Sequence, residues 1–278
     1  MNSVISVGLD GSPTSVAAAH WAAREAHLRN LPLHMMHAWI MLKADSIEDD
    51  QNYWSRRLLD DTRKMIGELY PDLPVSVELA AKDPSDALLE VSGRSTLLAL
   101  GSKGMGATGN FFLGDASYHV IGHAKRPVAL FRGAHVGENA PKTLEGPVVV
   151  AMNPDRPCGE VLAFAFDSAS LHGVPLVVLS VEGRHVHLHH KTDHADPAAQ
   201  GALDDAVTPW CEKFPDVEVT TRVETGSPGH IVVSAEEGAE LLVIGRHSRR
   251  ETSTSRLGPV GHSAVHHAVC PVAIVPYA

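Results

Sequence analysis

The sequence predicts an α/β protein built from two tandem doubly wound domains, each an open five-stranded, mostly parallel sheet with helices on both faces. Two observations lead there. Short apolar segments alternate with longer helix-forming segments along the whole chain, and such alternation requires crossover connections and a parallel sheet. The pattern also occurs twice. Val4-Ile5-Ser6-Val7-Gly8-Leu9-Asp10 lies over Pro147-Val148-Val149-Val150-Ala151-Met152-Asn153, a shift of 153 − 10 = 143. Leu97–Gly101 lies over Leu241–Gly245, a shift of 245 − 101 = 144, and Leu113-Gly114 meets Leu257-Gly258. Near the ends, Arg126-Pro127-Val128-Ala129-Leu130 meets Cys270-Pro271-Val272-Ala273-Ile274. Matches at a nearly constant offset indicate duplication. The domains are placed at residues 1–133 and 147–278, joined by a linker at 134–146 that has Gly, Pro and charge but no apolar period. A chain of 278 residues has room for two cores of this size.

In the first repeat, Val4–Leu9 reads as a strand. Ser12 is a suitable helix N-cap and Pro13 a suitable first helical residue, because that position needs no N–H. The Ala-rich run Ser15–Leu28 is a helix and Leu33–Trp39 the second strand. A helix over Tyr53–Leu69 stops before Pro71. Val75–Leu79 alternates as a strand. Asp83-Pro84-Ser85 opens a short helix ending near Gly93. Leu97–Leu100 is apolar throughout, as a strand buried on both faces should be. A helix over Asp115–Ala124 and a strand over Val128–Phe131 complete the unit, and the second repeat has the same order.

Composition narrows the function. Apolar residues make up 44% and charged residues 20%, an ordinary globular balance. The net charge of −10 disfavours nonspecific binding to nucleic acid or anionic membranes. Three scattered cysteines suggest neither a disulfide framework nor a Cys-rich zinc site. No run of about 18 apolar residues predicts a membrane span, the amino terminus enters a strand directly, and a cytoplasmic location is expected.

Ligands of open parallel sheets bind beyond the carboxyl ends of the strands, where the strand order reverses. Three segments of the first repeat end there: Gly8-Leu9-Asp10-Gly11-Ser12, His37-Ala38, and Gly101-Ser102-Lys103-Gly104, with Gly114 opening a helix ten residues on. Glycines let backbone N–H groups approach a phosphate closely. A helix start after Gly114 adds unpaired amides and the positive end of the dipole. Lys103 adds a point charge, and Asp10 can accept hydrogen bonds from a base or ribose. The pattern is neither a Walker loop nor the dinucleotide fingerprint.

The G-x2-G-x9-G spacing after the fourth strand, the opening Val7-Gly8-Leu9-Asp10-Gly11-Ser12, the Pro-Val-Ala-Leu ending and the duplication together resemble the universal stress protein family over essentially the whole chain. The resemblance implies a regulatory stress-response protein that binds ATP, and suggests growth restraint under hypoxia or nutrient limitation. In the ATP-binding branch, Gly8, Leu9, Asp10, Ala38 and Leu100 map to the adenosine side, and Gly101, Gly104 and Gly114 to ribose and phosphates. The family has Ser or Thr after the last glycine; here Asp115 and then Ala116 follow. A carboxylate at a helix start competes with phosphate for the same amides, at a cost on the order of 1–3 kcal/mol. Mg2+ or Ser117 would offset it. The second repeat is more degraded: Asn153 replaces Asp10, Pro154 replaces Gly11, Ser248 replaces Gly104 and Pro259 takes the Ser/Thr position. Asn153, Gly245, Ser248 and Gly258 remain as a second candidate site, helped by the positive charge of Arg246, Arg249 and Arg250.

Other residues read more plainly. His37 is expected to pack at a strand end. His185, His187 and His189 would share one face if extended, with His190 and His194 nearby, but a solvated loop is the simpler reading and no metal site is predicted there. Cys158, near a helix start, is placed where a thiol pKa can be lowered, but a packing role is the simpler reading. No arrangement for covalent catalysis stands out. Two further readings stay open: a slow ATPase or nucleotidyl-transfer enzyme using Asp10 or Asp115, and a nucleotide-free interaction protein. A homodimer and an unidentified regulatory protein partner are expected.

Overall fold

A computed structural model describes residues 3–39, 45–102, 114–131, 136–137, 140–141, 146–156, 158–183, 196–248 and 257–278. The chain divides into two compact units, Met1–Lys142 and Thr143–Ala278.

Unit 1 runs β1 (Ile5–Gly8), α1 (Pro13–Leu28), β2 (Leu33–Trp39), α2 (Asp45–Leu69), β3 (Val75–Ala81), α3 (Pro84–Arg94), β4 (Leu97–Gly101), α4 (Asp115–His123) and β5 (Val128–Phe131). A short antiparallel pair follows, β6 (Val136–Gly137) with β7 (Ala140–Pro141). Unit 2 runs β8 (Val148–Ala151), α5 (Gly159–His172), β9 (Leu176–Gly183), α6 (Pro197–Lys213), β10 (Val219–Gly226), α7 (Pro228–Ala235), β11 (Leu241–His247), α8 (Pro259–His267) and β12 (Val272–Tyr277).

The strand order is β5-β4-β1-β2-β3 in unit 1 and β12-β11-β8-β9-β10 in unit 2, and the neighbours within each unit pair parallel. The order reverses between β1 and β4, and again between β8 and β11. The carboxyl ends of those strands therefore border the crevice where such sheets take ligands. The central strands are buried throughout: Ile5, Leu97, Leu98 and Ala99 in unit 1, and Val148, Leu241, Leu242 and Val243 in unit 2, are at most 1% exposed. Each large aliphatic side chain so covered contributes about 1.5–3 kcal/mol.

Helix ends follow local chemistry. Ser12 caps α1, its hydroxyl accepting from the Ser15 amide at 3.2 Å, with Pro13 as the first helical residue. Asp83 caps α3, its carboxylate accepting from the Ser85 and Asp86 amides. The α2 helix begins at Asp45, eight residues before the expected Tyr53. Residues 45–52 carry four acids and little apolar period, and acids are favoured in the first turns of a helix. The remaining predicted elements of unit 1 lie within two residues of their expected bounds.

Candidate functional site

The first strand of each unit delivers a sharp turn. In unit 1, Leu9 donates its amide to the Met36 carbonyl at 2.8 Å, and the chain then leaves the sheet. Asp10 organises the turn: its Oδ1 accepts from the Ser12 amide at 2.9 Å and from the Ser12 hydroxyl at 2.5 Å. Gly11 takes φ +81°, and a Cβ there would lie 2.6 Å from the Trp54 ring, so this position requires glycine on both counts. His37 is buried, and its Nδ1 donates to the Leu9 carbonyl at 2.7 Å, tying β2 to the same turn. That is the packing role expected of it. Ala38 follows, half-buried, at the carboxyl end of β2.

Leu100 and Gly101 end β4, and both are used by the sheet and its packing. Leu100 is 2% exposed and pairs with Gly8 and Leu130; Gly101 pairs with Phe131. A Cβ on Gly101 would lie 2.5 Å from the Ser15 nitrogen and 2.6 Å from the Thr14 carbonyl carbon. Glycine at this position admits the first turn of α1 against the strand. Thr14 then donates its hydroxyl to the Ser102 carbonyl at 2.6 Å in the buried interior. The sequence reading missed Thr14, although its place one residue after a helix-starting proline was a usable sign.

Gly114 is the N-cap of α4 and makes no side-chain cap; Asp115 and Ala116 form its first turn, with Asp115 exposed. Gly104 and Lys103 lie outside the described residues, as do the histidines from 185 to 194 and Arg249 and Arg250.

Unit 2 has a partly open cavity of about 590 Å3 at the corresponding place. Its walls can be matched, position by position, to the residues proposed in unit 1. The strand registers equate Gly8 with Ala151, Ala38 with Val181, and Leu100 with Ile244. The helix N-caps equate Gly114 with Gly258. The counterparts of Gly8, Leu9, Asp10, Ala38, Leu100, Gly101, Gly114, Asp115 and Ala116 are Ala151, Met152, Asn153, Val181, Ile244, Gly245, Gly258, Pro259 and Val260, and every one of them lines this cavity. Of the second-repeat candidates, Asn153, Gly245 and Gly258 line it. Ser248 does not: its amide is already donated to the Tyr277 carbonyl at 2.7 Å. Nor does Arg246, buried in β11 at 3% exposure.

The cavity also draws on residues that sequence reasoning passed over. Ser227, Pro228 and Gly229 bring the amino end of α7 to it, Ser263 contributes from α8, and Arg156 stands at the exposed side. The α7 and α8 N-caps, Ser227 and Gly258, make no side-chain cap bonds, and neither helix has an acid in its first turn. Matching Ser227-Pro228 to Asp83-Pro84 at the shift of 144 marks the start of α7 but not its place beside the cavity. Cys158 lines the wall too, but not as an activated thiol. Burial pushes its pKa up, which fits the packing role and not a thiol activated by a helix start.

The model of the Universal stress protein family matches residues 1–132 and again 146–276. The chain belongs to the universal stress protein family. A universal stress protein of Mycolicibacterium smegmatis is 28% identical over 286 residues, covering 98% of this chain and 96% of the relative. One from Mycobacterium tuberculosis is 29% identical over 285 residues, covering 96% and 95%. Among solved structures, a universal stress protein from Archaeoglobus fulgidus superposes with a TM-score of 0.76 at 18% identity, covering 98% of each chain. A functionally unknown Pseudomonas aeruginosa protein gives 0.67 at 15% identity, covering 99% and 92%. These likenesses extend the universal stress protein fold across both units. Among the described residues, no helix is long and apolar enough to cross a membrane.

Proposed function

We propose that the protein is an ATP-binding regulator of the stress response, whose nucleotide occupancy changes its conformation or its protein partners, acting in the cytoplasm as a homodimer. In this reading Gly8, Leu9, Asp10, Ala38, Leu100, Gly101, Gly104, Gly114, Asp115 and Ala116 form the site of a domain spanning residues 1–133. Residues 134–146 link it to a second domain at 147–278. The observation that carries the reading is that nine of those ten positions have counterparts lining one cavity in unit 2. Its volume of about 590 Å3 lies within the range of small-molecule sites, about 300–1,000 Å3. Asp115 sits where phosphates would meet the start of α4, so a divalent cation such as Mg2+ would there offset the repulsion between the two anions.

A second reading concerns unit 2. Its cavity meets the starts of α7 and α8 without an acid in either first turn, and Arg156 stands beside it. These features suit a phosphate-bearing ligand of nucleotide size without an accompanying cation. The test is to purify the untagged chain natively, identify any nucleotide in its perchloric-acid extract, and follow its melting temperature with added ATP. A co-purifying adenine nucleotide and a rise in melting temperature are expected. An extract free of nucleotide with no shift at millimolar ATP would leave the interaction-protein reading. Turnover of labelled ATP, lost in Asp10→Ala, would instead support the enzyme reading.

A further inference from the structure

We propose that α4 carries a two-histidine chelate for a divalent transition-metal ion of the imidazole-preferring class, formed by His119 and His123. The two residues lie one turn apart on the same face of the helix, and both are exposed. Their rings stack with centroids 4.3 Å apart and planes 22° apart. His123 Nδ1 lies 2.8 Å from the His119 carbonyl oxygen. A carbonyl only accepts, so in the neutral tautomer this bond selects, Nδ1 of His123 carries the proton and Nε2 the lone pair. Such a bond fixes the tautomer of metal-binding histidines. Because nearly parallel rings point their in-plane lone pairs side by side, chelation requires the His119 ring to turn about its side-chain torsions.

The surroundings have both signs. Asp115 lies one turn before His119 on the same face, and the carboxyl end of α4 carries the negative end of the helix dipole, both favouring a cation. Lys125 and Arg126 follow the helix, are exposed and oppose it. Neutral imidazole ligands suit Zn2+, Cu2+ or Ni2+, whereas Mg2+ prefers oxygen, so this site is chemically separate from any cation that accompanies a nucleotide. Two protein ligands leave coordination positions for water or for a donor from another molecule. On α8, His262 and His266 have the same spacing with ring centroids at 4.5 Å. They stand one position earlier in their helix than His119 and His123 do, and so face a different direction.

The test is Zn2+ titration of untagged, chelator-stripped full-length protein by competition with a colorimetric chelator, with zinc equivalents counted. His119→Ala/His123→Ala is expected to bind one equivalent fewer than the parent. Each single variant is expected to weaken that equivalent by about 10²-fold, because the second ligand acts intramolecularly. His262→Ala/His266→Ala is expected to retain it. Cu2+ bound at the site should show hyperfine coupling to two nitrogens, reduced to one in either single variant. Far-UV circular dichroism checks the helix, and His119→Gln/His123→Gln replaces the alanine pair if the fold is disturbed. An unchanged count of zinc equivalents in both double variants at 119 and 123 would overturn the proposal.

Discussion

The two units share strand order and register but seat their first helices differently. In unit 1, α1 begins at Pro13, Ser12 caps it, and Thr14 bonds to the carbonyl just beyond β4. In unit 2, α5 begins at Gly159, the counterpart of Val16, and its N-cap Cys158 makes no side-chain cap. Helix α5 therefore starts almost a turn later along the chain, and residues 156 and 158 line the cavity instead. The helices on the far side differ in charge. Asp83 caps α3, Asp86 sits in its first turn and Asp115 opens α4, whereas Ser227 and Gly258 cap α7 and α8 with no acid following. Unit 1 retains more of the family motif, while unit 2 has the helix starts better suited to a bare anion. Motif and electrostatics have diverged between the two copies.

The largest effect should come from packing. Gly101→Ala forces a Cβ against the backbone of α1 and should destabilise unit 1 by about 2–3 kcal/mol in urea unfolding. In Gly245→Ala the atoms nearest the new Cβ belong to the side chains of Tyr277 and Val161, and about 1 kcal/mol is expected. Equal losses would break the packing contrast. Next, Asp115→Asn should tighten ATP binding in EDTA about tenfold, on the order of 1–2 kcal/mol, by calorimetric titration. Weaker binding of the variant would show that Asp115 helps the ligand. In unit 2, Arg156→Gln should weaken uptake of a phosphate-bearing ligand about fivefold, a charge-assisted contact at an exposed position, with unit 1 unaffected.

The smallest effect concerns pH and lies in unit 1. Burial lowers the pKa of His20 and of His34 below 6.5, and for His34 the nearby Glu78 works against that shift. The folded state thus binds these protons less readily than the unfolded state. Stability from these groups is complete above about pH 6.5, and declines as pH falls through that value toward the lowered folded pKa. His20→Gln should flatten the decline in urea midpoint between pH 7.5 and 5.5; an unaltered slope would assign it to other groups.

Much of the fold was legible because apolar runs such as Leu97–Leu100 and signals such as Ser12-Pro13 and Asp83-Pro84 act locally. The beginning of α2 was not, since its first turns are acidic and carry no apolar period. For the candidate positions, the sequence offers residue types but not the contacts that fix them. Gly101 reads as a phosphate-gripping glycine, yet the structure shows that α1 packing alone demands it. The contribution of α7 was hidden because nothing in Ser227-Pro228-Gly229 announces a binding site until the sheet brings it beside Gly258 and Asn153.

Equilibrium dialysis of labelled ATP against the native full-length chain, in Mg2+ and in EDTA, tests the account most directly. Two bound equivalents in Mg2+ and one in EDTA are predicted, with the equivalent that survives EDTA weakened by Arg156→Gln. No bound ATP in either buffer would contradict the nucleotide reading, and two undiminished equivalents in EDTA would contradict the charge difference between the units.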